Sequence, residues 1–191
     1  MSFKKSQKSK TNIIKRLVFA SFFSALIFVA TAYLPRIPTA LGYIHLGDGF
    51  VLIASSCLPL PYALASAAVG GALADIMTGY AVYAPATMII KLLMALCISS
   101  RVKKLVAPRN LIGTAAATLI NAGGYYLYEA LAMSGSFVAP LADLPFNLAQ
   151  TAVGGVIFVC IGILFDRTPA LRSMLPSNAD SQQKERIDNV K

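Results

Sequence analysis

The chain has 191 residues, of which 57% are apolar and only 13% are Asp, Glu, Lys or Arg, and its formal net charge is +9. A soluble domain has about 25% charged residues, so the composition excludes both an ordinary soluble globule and a disordered chain. A membrane-spanning helix needs about 20 residues, and the length accommodates six spans with no sizeable extra domain. We therefore predict an all-α integral membrane protein, a bundle of six transmembrane helices.

Six apolar stretches, separated by prolines and polar residues, form the predicted membrane domain at residues 12–166. A Lys- and Ser-rich arm at residues 1–11 is expected to be disordered and cytosolic, and residues 167–191 are expected to form a polar cytosolic tail. The tight turn between the second and third stretches makes those two helices antiparallel. The predicted spans are 12–34, 45–58, 61–79, 85–102, 110–133 and 143–165.

The basic residues predict the orientation, because short cytosolic loops carry an excess of Lys and Arg. With the N-terminus in the cytosol, 15 of the 17 basic residues fall on the cytosolic side. The exceptions are Arg36, which lies outside, and Lys91, which lies within a span. Both termini are therefore expected in the cytosol. The alternative for the first stretch is a signal peptide cleaved after residues 30–32, although the run 17–34 is longer than a usual signal core.

Lys91 lies about two turns inside the fourth predicted span. A charged Lys at the centre of a bilayer costs about 2.5–3.5 kcal/mol on insertion scales, so it should face a partner or a wet cavity. The nearest acids in sequence are Asp48 and Asp75, each at the outer end of a span. The sequence leaves open whether Lys91 forms a structural ion pair with one of them or contacts a solute.

The fifth and sixth spans carry polar side chains in their outer halves. Asn147 and Gln150 are three residues apart and share one face of the sixth helix. On the fifth helix the spacing 4, 3, 4, 3 predicts one polar face, whose members are Thr114, Thr118, Asn121, Tyr125 and Tyr128, with Glu129 beside it. Amides in lipid are paired inside the bundle, either as interhelical hydrogen bonds or as the lining of a pocket.

We interpret these residues as a pocket for a small heteroaromatic ring with hydroxyl or amino groups. The amides and the carboxylate offer donors and acceptors, and the tyrosines offer flat faces. The candidate ligand contacts are Asn121, Tyr125, Asn147, Gln150, Glu129, Lys91 and His45.

Two further segments suggest functional surfaces. Residues 35–44 contain two prolines and a glycine and are too apolar for a solvated linker. They are expected to form a lid over the outer mouth, with Arg36, Gly42 and Tyr43 as gating residues; the alternative is a loop packed passively on the helix ends. The first span carries two overlapping pairs of small residues four apart, a pattern that allows close helix approach, either to the rest of the bundle or to a partner helix. The candidate docking residues are Ala20, Ser21, Ser24 and Ala25; for the third span we favour internal packing of its small residues.

The chain lacks the sequence motifs of catalysis and nucleotide binding: it has no phosphate-binding loop, no His-Glu-x-x-His and no Gly-x-Ser-x-Gly. A single histidine, His45, excludes a His-rich metal site. We therefore expect no enzyme activity, no cofactor and no nucleic-acid partner. Energy for uphill uptake would have to come from a partner protein or from an ion gradient.

The residue runs 44–49 (Ile-His-Leu-Gly-Asp-Gly), 70–75 (Gly-Gly-Ala-Leu-Ala-Asp), 79–80 (Gly-Tyr), 83–87 (Tyr-Ala-Pro-Ala-Thr) and 90–91 (Ile-Lys) resemble a known family. The chain is similar over about residues 12–165 to the substrate-binding S components of energy-coupling factor (ECF) vitamin transporters. It is most similar to the branch associated with hydroxymethylpyrimidine, pyridoxine and related vitamins.

The resemblance implies a six-helix subunit in the bacterial plasma membrane that captures a vitamin at the outer face, under the loop between the first two helices. It also implies docking, through small residues of the first helix, on a transmembrane coupling protein that carries two ABC ATPases. Serine at positions 21 and 24 departs from the all-alanine form of the family pattern. The alternative is a self-sufficient proton-coupled carrier or small channel in which Lys91 and Asp75 relay protons. A membrane-embedded enzyme is a third reading, which the lack of a catalytic cluster disfavours.

Overall fold

The computed structural model describes residues 2–35, 37–38 and 43–175, with side chains from Thr11 onward except at residue 174. Seven α-helices make up this part of the chain, and the all-α prediction is confirmed. They are α1 (Ser2–Ala32), α2 (Gly47–Cys57), α3 (Leu60–Met77), α4 (Ala84–Leu96), α5 (Pro108–Tyr128), α6 (Leu144–Arg167) and α7 (Pro169–Met174). A short antiparallel hairpin, β1 (Ile37–Pro38) and β2 (Tyr43–Ile44), joins α1 to α2, with Ile37 opposite Ile44.

Helix α2 is the centre of the bundle, because it contacts α1, α3, α4 and α6. Ten of its 11 residues are buried, which fits a helix surrounded by other helices rather than by lipid. The outer helices follow one another as neighbours: α1 packs on α3, α3 on α4, α4 on α5, and α5 on α6. A helix of 11 residues is only about 17 Å long, well short of the ~30 Å hydrocarbon core.

Among the residues that the structure describes, three helices are long and apolar enough to cross a membrane by length and composition: Thr11–Ala32, Leu60–Met77 and Leu144–Arg167. The six predicted stretches all occur as helices α1 to α6, but α2 and α4 are shorter than expected, with 11 and 13 residues. The fourth span was predicted to reach residue 102, whereas α4 ends at Leu96. The difference arises because Asn110 bonds the backbone N–H and carbonyl of Ser99 at 2.9 and 3.0 Å and so stabilises a loop there.

The two ends of the chain also differ from the prediction. Helix α1 begins at Ser2, so the arm expected to be disordered continues the first span as helix. Once a long helix is nucleated, each added Lys, Gln or Ser extends it at little cost. In the predicted tail, α7 follows α6 directly, and Leu175 is 2% exposed against the core.

Glycines allow two of the closest helix contacts. A Cβ atom at Gly70 of α3 would lie 2.6 Å from the Ser24 carbonyl oxygen of α1. A Cβ atom at Gly154 of α6 would lie 2.8 Å from the Gly49 backbone nitrogen of α2. Only glycine fits at such backbone-to-backbone approaches. The first brings α3 against α1, and the second brings α6 directly against the central helix α2.

Candidate functional site

A cavity lies where β2, the start of α4, the end of α5 and the start of α6 meet. Its free space is about 460 Å³, counting the part that opens to solvent. The hairpin strand β2 contributes Tyr43 and Ile44, and His45 follows at the entry to α2. The segment predicted to be a lid therefore does border the cavity through Tyr43, whereas Arg36 and Gly42 lie outside the described residues.

Four tyrosines form an aromatic wall on one side of the cavity: Tyr43, Tyr80, Tyr83 and Tyr125. Their ring centroids are 4.8 Å apart for Tyr43 and Tyr80 and 6.3 Å apart both for Tyr80 and Tyr83 and for Tyr83 and Tyr125. These separations are typical of tilted aromatic pairs, which stabilise each other beyond their buried area. The wall offers flat faces to a planar guest.

Another part of the cavity lining comes from the first two turns of α6, where Phe146, Asn147 and Gln150 border it. Pro145 in the first turn suits a helix start, because its fixed φ is already helical and its missing N–H is not needed. The spacing of three and four residues places these side chains on one face. Asn147 also uses its backbone carbonyl to accept a bond from Asn121 at 3.4 Å.

Three carboxylates line the same cavity: Asp75, Asp143 and Glu129. Asp75 is held by the hydroxyls of Thr87 at 2.5 Å and Tyr43 at 3.3 Å, and Thr87 in turn contacts the Tyr125 hydroxyl at 2.8 Å. This chain of contacts connects the end of α3 to β2, α4 and α5.

Glu129 is 3% exposed and follows α5 in a π-helical turn that spans Glu129–Ser134. Its Oε1 atom accepts a hydrogen bond from the Tyr83 hydroxyl at 3.5 Å. Its Oε2 atom is buried and has no hydrogen-bond partner among the described residues. A buried polar atom without a partner carries a desolvation cost, which a hydrogen-bond donor would offset.

Beneath the cavity lies a buried ion pair. The Lys91 ammonium donates to Asp48 Oδ1 at 2.5 Å and to Asn121 Oδ1 at 2.9 Å, and it lies 5.4 Å from the centre of the Tyr125 ring. Lys91 is 1% exposed and Asp48 is fully buried. The sequence left Asp48 and Asp75 open as partners, and the structure selects Asp48, because the central helix α2 brings that acid to α4.

Asp48 is also the acceptor that ties α6 to α2. Its Oδ2 atom accepts hydrogen bonds from Thr151 at 2.7 Å and from Gln150 at 3.0 Å. The side-chain oxygen Oε1 of Gln150 then accepts a hydrogen bond from the backbone N–H of His45 at 3.1 Å. Residues 45, 48, 91, 121, 150 and 151 thus form one polar network, in which each charge has several partners.

The structure brings most of the sequence-predicted ligand residues to the cavity. Tyr125, Glu129, Asn147, Gln150 and His45 line it, and their contact with a ligand stays a prediction. Lys91 and Asn121 do not line it. They lie in the network behind its wall, because Lys91 is compensated there by Asp48.

Two parts of the polar stripe do something other than expected. The hydroxyls of Thr114 and Thr118 donate to carbonyls one turn back on their own helix, at 2.9 and 3.0 Å. They border a groove between α5 and α6 that is remote in sequence from the cavity-lining end of α5. Helical spacing alone groups them with Tyr125, but their bonds are internal to α5.

The sequence reasoning did not include Tyr80, Tyr83, Asp75, Asp143, Thr87 or Phe146 among the ligand contacts, although they line the cavity. Tyr80 and Tyr83 lie in a short 3-10 turn (Ala81–Tyr83 with its cap), where no helical periodicity marks a common face. The available signal was the family motif, which contains both tyrosines, Asp75 and Thr87. Within the described part of the chain, no cluster of His, Cys, Asp and Glu could hold a metal ion.

The small residues of α1 border a groove against α3. Ala20, Ser21, Ser24 and Ala25 all line it. The Ala20 carbonyl accepts a bond from Ser66 of α3 at 2.9 Å, and the Ser24 carbonyl lies against Gly70, so this pair packs internally. Ser21 and Ala25 are exposed, which leaves them accessible to a second membrane helix.

Comparison with known proteins identifies a family. The family described as ECF-type riboflavin transporter, S component, matches residues 11–166 of the chain. No curated protein matches the chain. The matched range contains the cavity, the Asp48–Lys91 pair and the small-residue groove of α1.

Proposed function

The chain belongs to the family of ECF-type transporter S components, and from this premise we propose that its cavity captures a small, planar heteroaromatic vitamin or vitamin precursor. S components are membrane-embedded, substrate-binding transporter subunits and not enzymes, and they work with an ECF coupling protein and ATPases. The observation that carries the proposal is the cavity itself. Its lining combines four tyrosines with the amides of α6 and with Glu129, whose Oε2 atom has no hydrogen-bond partner among the described residues.

The chemistry of the lining supports a planar ring with hydroxyl or amino groups, because tyrosine faces, amides and carboxylates meet there. Hydroxymethylpyrimidine and pyridoxine are the first candidates, as the sequence resemblance implies. Riboflavin is the second, and the description of the matching family favours it.

The proposed orientation has both termini in the cytosol and the cavity at the outer face. It follows from the 15 basic residues that this arrangement collects on the cytosolic side. The hairpin that carries Tyr43 then covers the outer mouth, where closure over a ligand would exclude water. Release to the cytosol would require the coupling protein and its two ATPases.

The contacts of Lys91 disfavour the alternative of a proton-coupled carrier. That alternative uses Lys91 and Asp75 as a relay, but the ammonium bonds Asp48 and Asn121 instead. The carboxylate of Asp75 is engaged by hydroxyl groups. A relay would need both groups to leave well-formed partners.

The experiment is ligand binding to the purified protein without ATP. Calorimetric titration with hydroxymethylpyrimidine, pyridoxine and riboflavin should give tight binding of at least one compound. Asn147→Ala should weaken that binding about tenfold or more, which corresponds to the loss of one well-made buried hydrogen bond. Asn12→Ala on α1, outside the cavity lining, is the matched control and should bind as the wild type does. Flat titrations with all three compounds would contradict the proposal.

A further inference from the structure

Two of the carboxylates that line the cavity, Asp75 and Glu129, accept hydrogen bonds from the hydroxyl groups of Thr87, Tyr43 and Tyr83. The buried cation nearest in the network, Lys91, already has Asp48 as its counter-ion at 2.5 Å. The described lining therefore combines carboxylates with aromatic faces.

Glu129 provides the second, independent observation. The residue is 3% exposed, and its Oε2 atom has no hydrogen-bond partner within the described residues. The neighbouring Oε1 atom accepts only a long hydrogen bond, at 3.5 Å, from the Tyr83 hydroxyl. A donor from the ligand would offset the desolvation cost that this oxygen now carries.

We propose that the substrate presents a cationic or amino-bearing nitrogen whose N–H donates to Glu129 Oε2. This inference rests on the proposed function, and it narrows the substrate from any planar heterocycle to an amino-substituted or protonated one. Hydrogen bonds between a charged donor and a carboxylate are about twice as strong as neutral ones. The faces of Tyr83 and the neighbouring tyrosines add attraction for a cation, which an uncharged ring does not receive to the same degree.

The geometry also assigns separate tasks to the acids. Asp75 has two hydroxyl donors and so holds the wall together, whereas Glu129 has one donor and one vacant acceptor. Substitution of Glu129 should therefore change which ligand binds. Substitution of Asp75 should change the stability of the wall itself.

The test compares ligands that differ only at the amino group. One pair is 4-amino-5-hydroxymethyl-2-methylpyrimidine and its 4-oxo analogue, and the other is pyridoxamine and pyridoxine. In at least one pair the amino compound should bind the wild-type protein at least about tenfold more tightly. Glu129→Gln should remove that preference while the partner compound without the added amino group binds as before, which also shows that the variant is folded. Glu129→Asp, which keeps the charge, should retain part of the preference.

The outcomes separate this inference from the proposed function. Equal binding of both members of each pair, or equal weakening of both by Glu129→Gln, would overturn the amino-group preference and leave vitamin capture standing. Binding of riboflavin with no binding of any amino compound would also overturn the amino-group preference and leave vitamin capture standing. No binding of any of these heterocycles would overturn both. If Glu129→Gln fails to fold, Glu129→Asp tests the residue, and equal binding of both members of each pair to the wild type still overturns the inference.

Discussion

The buried pair of Lys91 and Asp48 should be needed as a pair, and replacing one partner should cost more than replacing both. In Asp48→Asn the shape of the side chain and an acceptor oxygen are kept, but the ammonium loses its counter-charge, and its contacts with Asn121 at 2.9 Å and with the Tyr125 ring at 5.4 Å are to uncharged groups. Removing one partner of a buried ion pair typically costs about 3–5 kcal/mol. Lys91 is 1% exposed, so solvent cannot take over the lost partner, and we expect a value in that range.

Cysteine labelling can measure this free energy directly, because the chain contains no Trp for fluorescence and Cys57 is fully buried. With Cys97→Ser and Cys160→Ser as background, the labelling rate of Cys57 reports how often the bundle opens. A loss of 3–5 kcal/mol raises the open population by about 150-fold to several thousandfold. Asp48→Asn and Lys91→Met should each accelerate labelling to that extent.

The double variant is the decisive control. With both charges removed, no isolated ion remains in the bundle, so Asp48→Asn/Lys91→Met should label more slowly than either single variant. A coupling free energy of about 2–3 kcal/mol is expected, as for residues that share one network. Less than a tenfold effect of the single changes, or a double variant whose loss equals their sum, would refute the ion-pair reasoning.

Two other predictions concern helix contacts. Gly154→Ala should lower the free energy of unfolding by more than about 1 kcal/mol, because its Cβ would lie 2.8 Å from a backbone nitrogen of α2. Gly123→Ala is the control: its Cβ would have nothing within 4 Å, so the change should be neutral or slightly stabilising. The same labelling assay measures both variants. If docking on the coupling protein uses the exposed side of α1, a Ser21→Leu/Ala25→Leu variant should lose at least tenfold in co-purification with the coupling protein and ATPases while ligand binding is unchanged. Ala152→Leu, which adds one leucine at an exposed position of α6, should retain the complex. Equal loss in both variants would argue against this docking surface.

The class of fold was accessible from the sequence because apolar runs and prolines report local chemistry. The prolines at 59 and 61 did indicate a short second helix, but the same runs could not report that α2 would be central, since a buried helix and a lipid-facing helix are both apolar. The partner of Lys91 was undetermined for a related reason. The cost of an isolated charge demands some acid, but whether Asp48 or Asp75 comes within reach depends on which helices pack side by side.

The candidate site was visible in part. Helical spacing correctly groups Asn147 with Gln150, because both lie on a regular helix. Tyr80 and Tyr83 lie in a turn without periodicity, so only the family motif pointed to them. The orphaned oxygen of Glu129 is a property of three-dimensional surroundings, and no pattern of residues along the chain could have indicated it.

Few residues could replace Gln150, because its side-chain amide bonds two partners at once. Its carbonyl serves the backbone of His45, and its nitrogen serves the carboxylate of Asp48. A glutamate would meet Asp48 with like charge, and an apolar residue would strand both partners. By contrast, within the described residues, no side-chain hydrogen bond connects Tyr80, Phe146 or Asn147 to this network. Related chains could therefore diverge in ligand specificity through substitutions at the cavity rim, while the buried polar network beneath it stays the same.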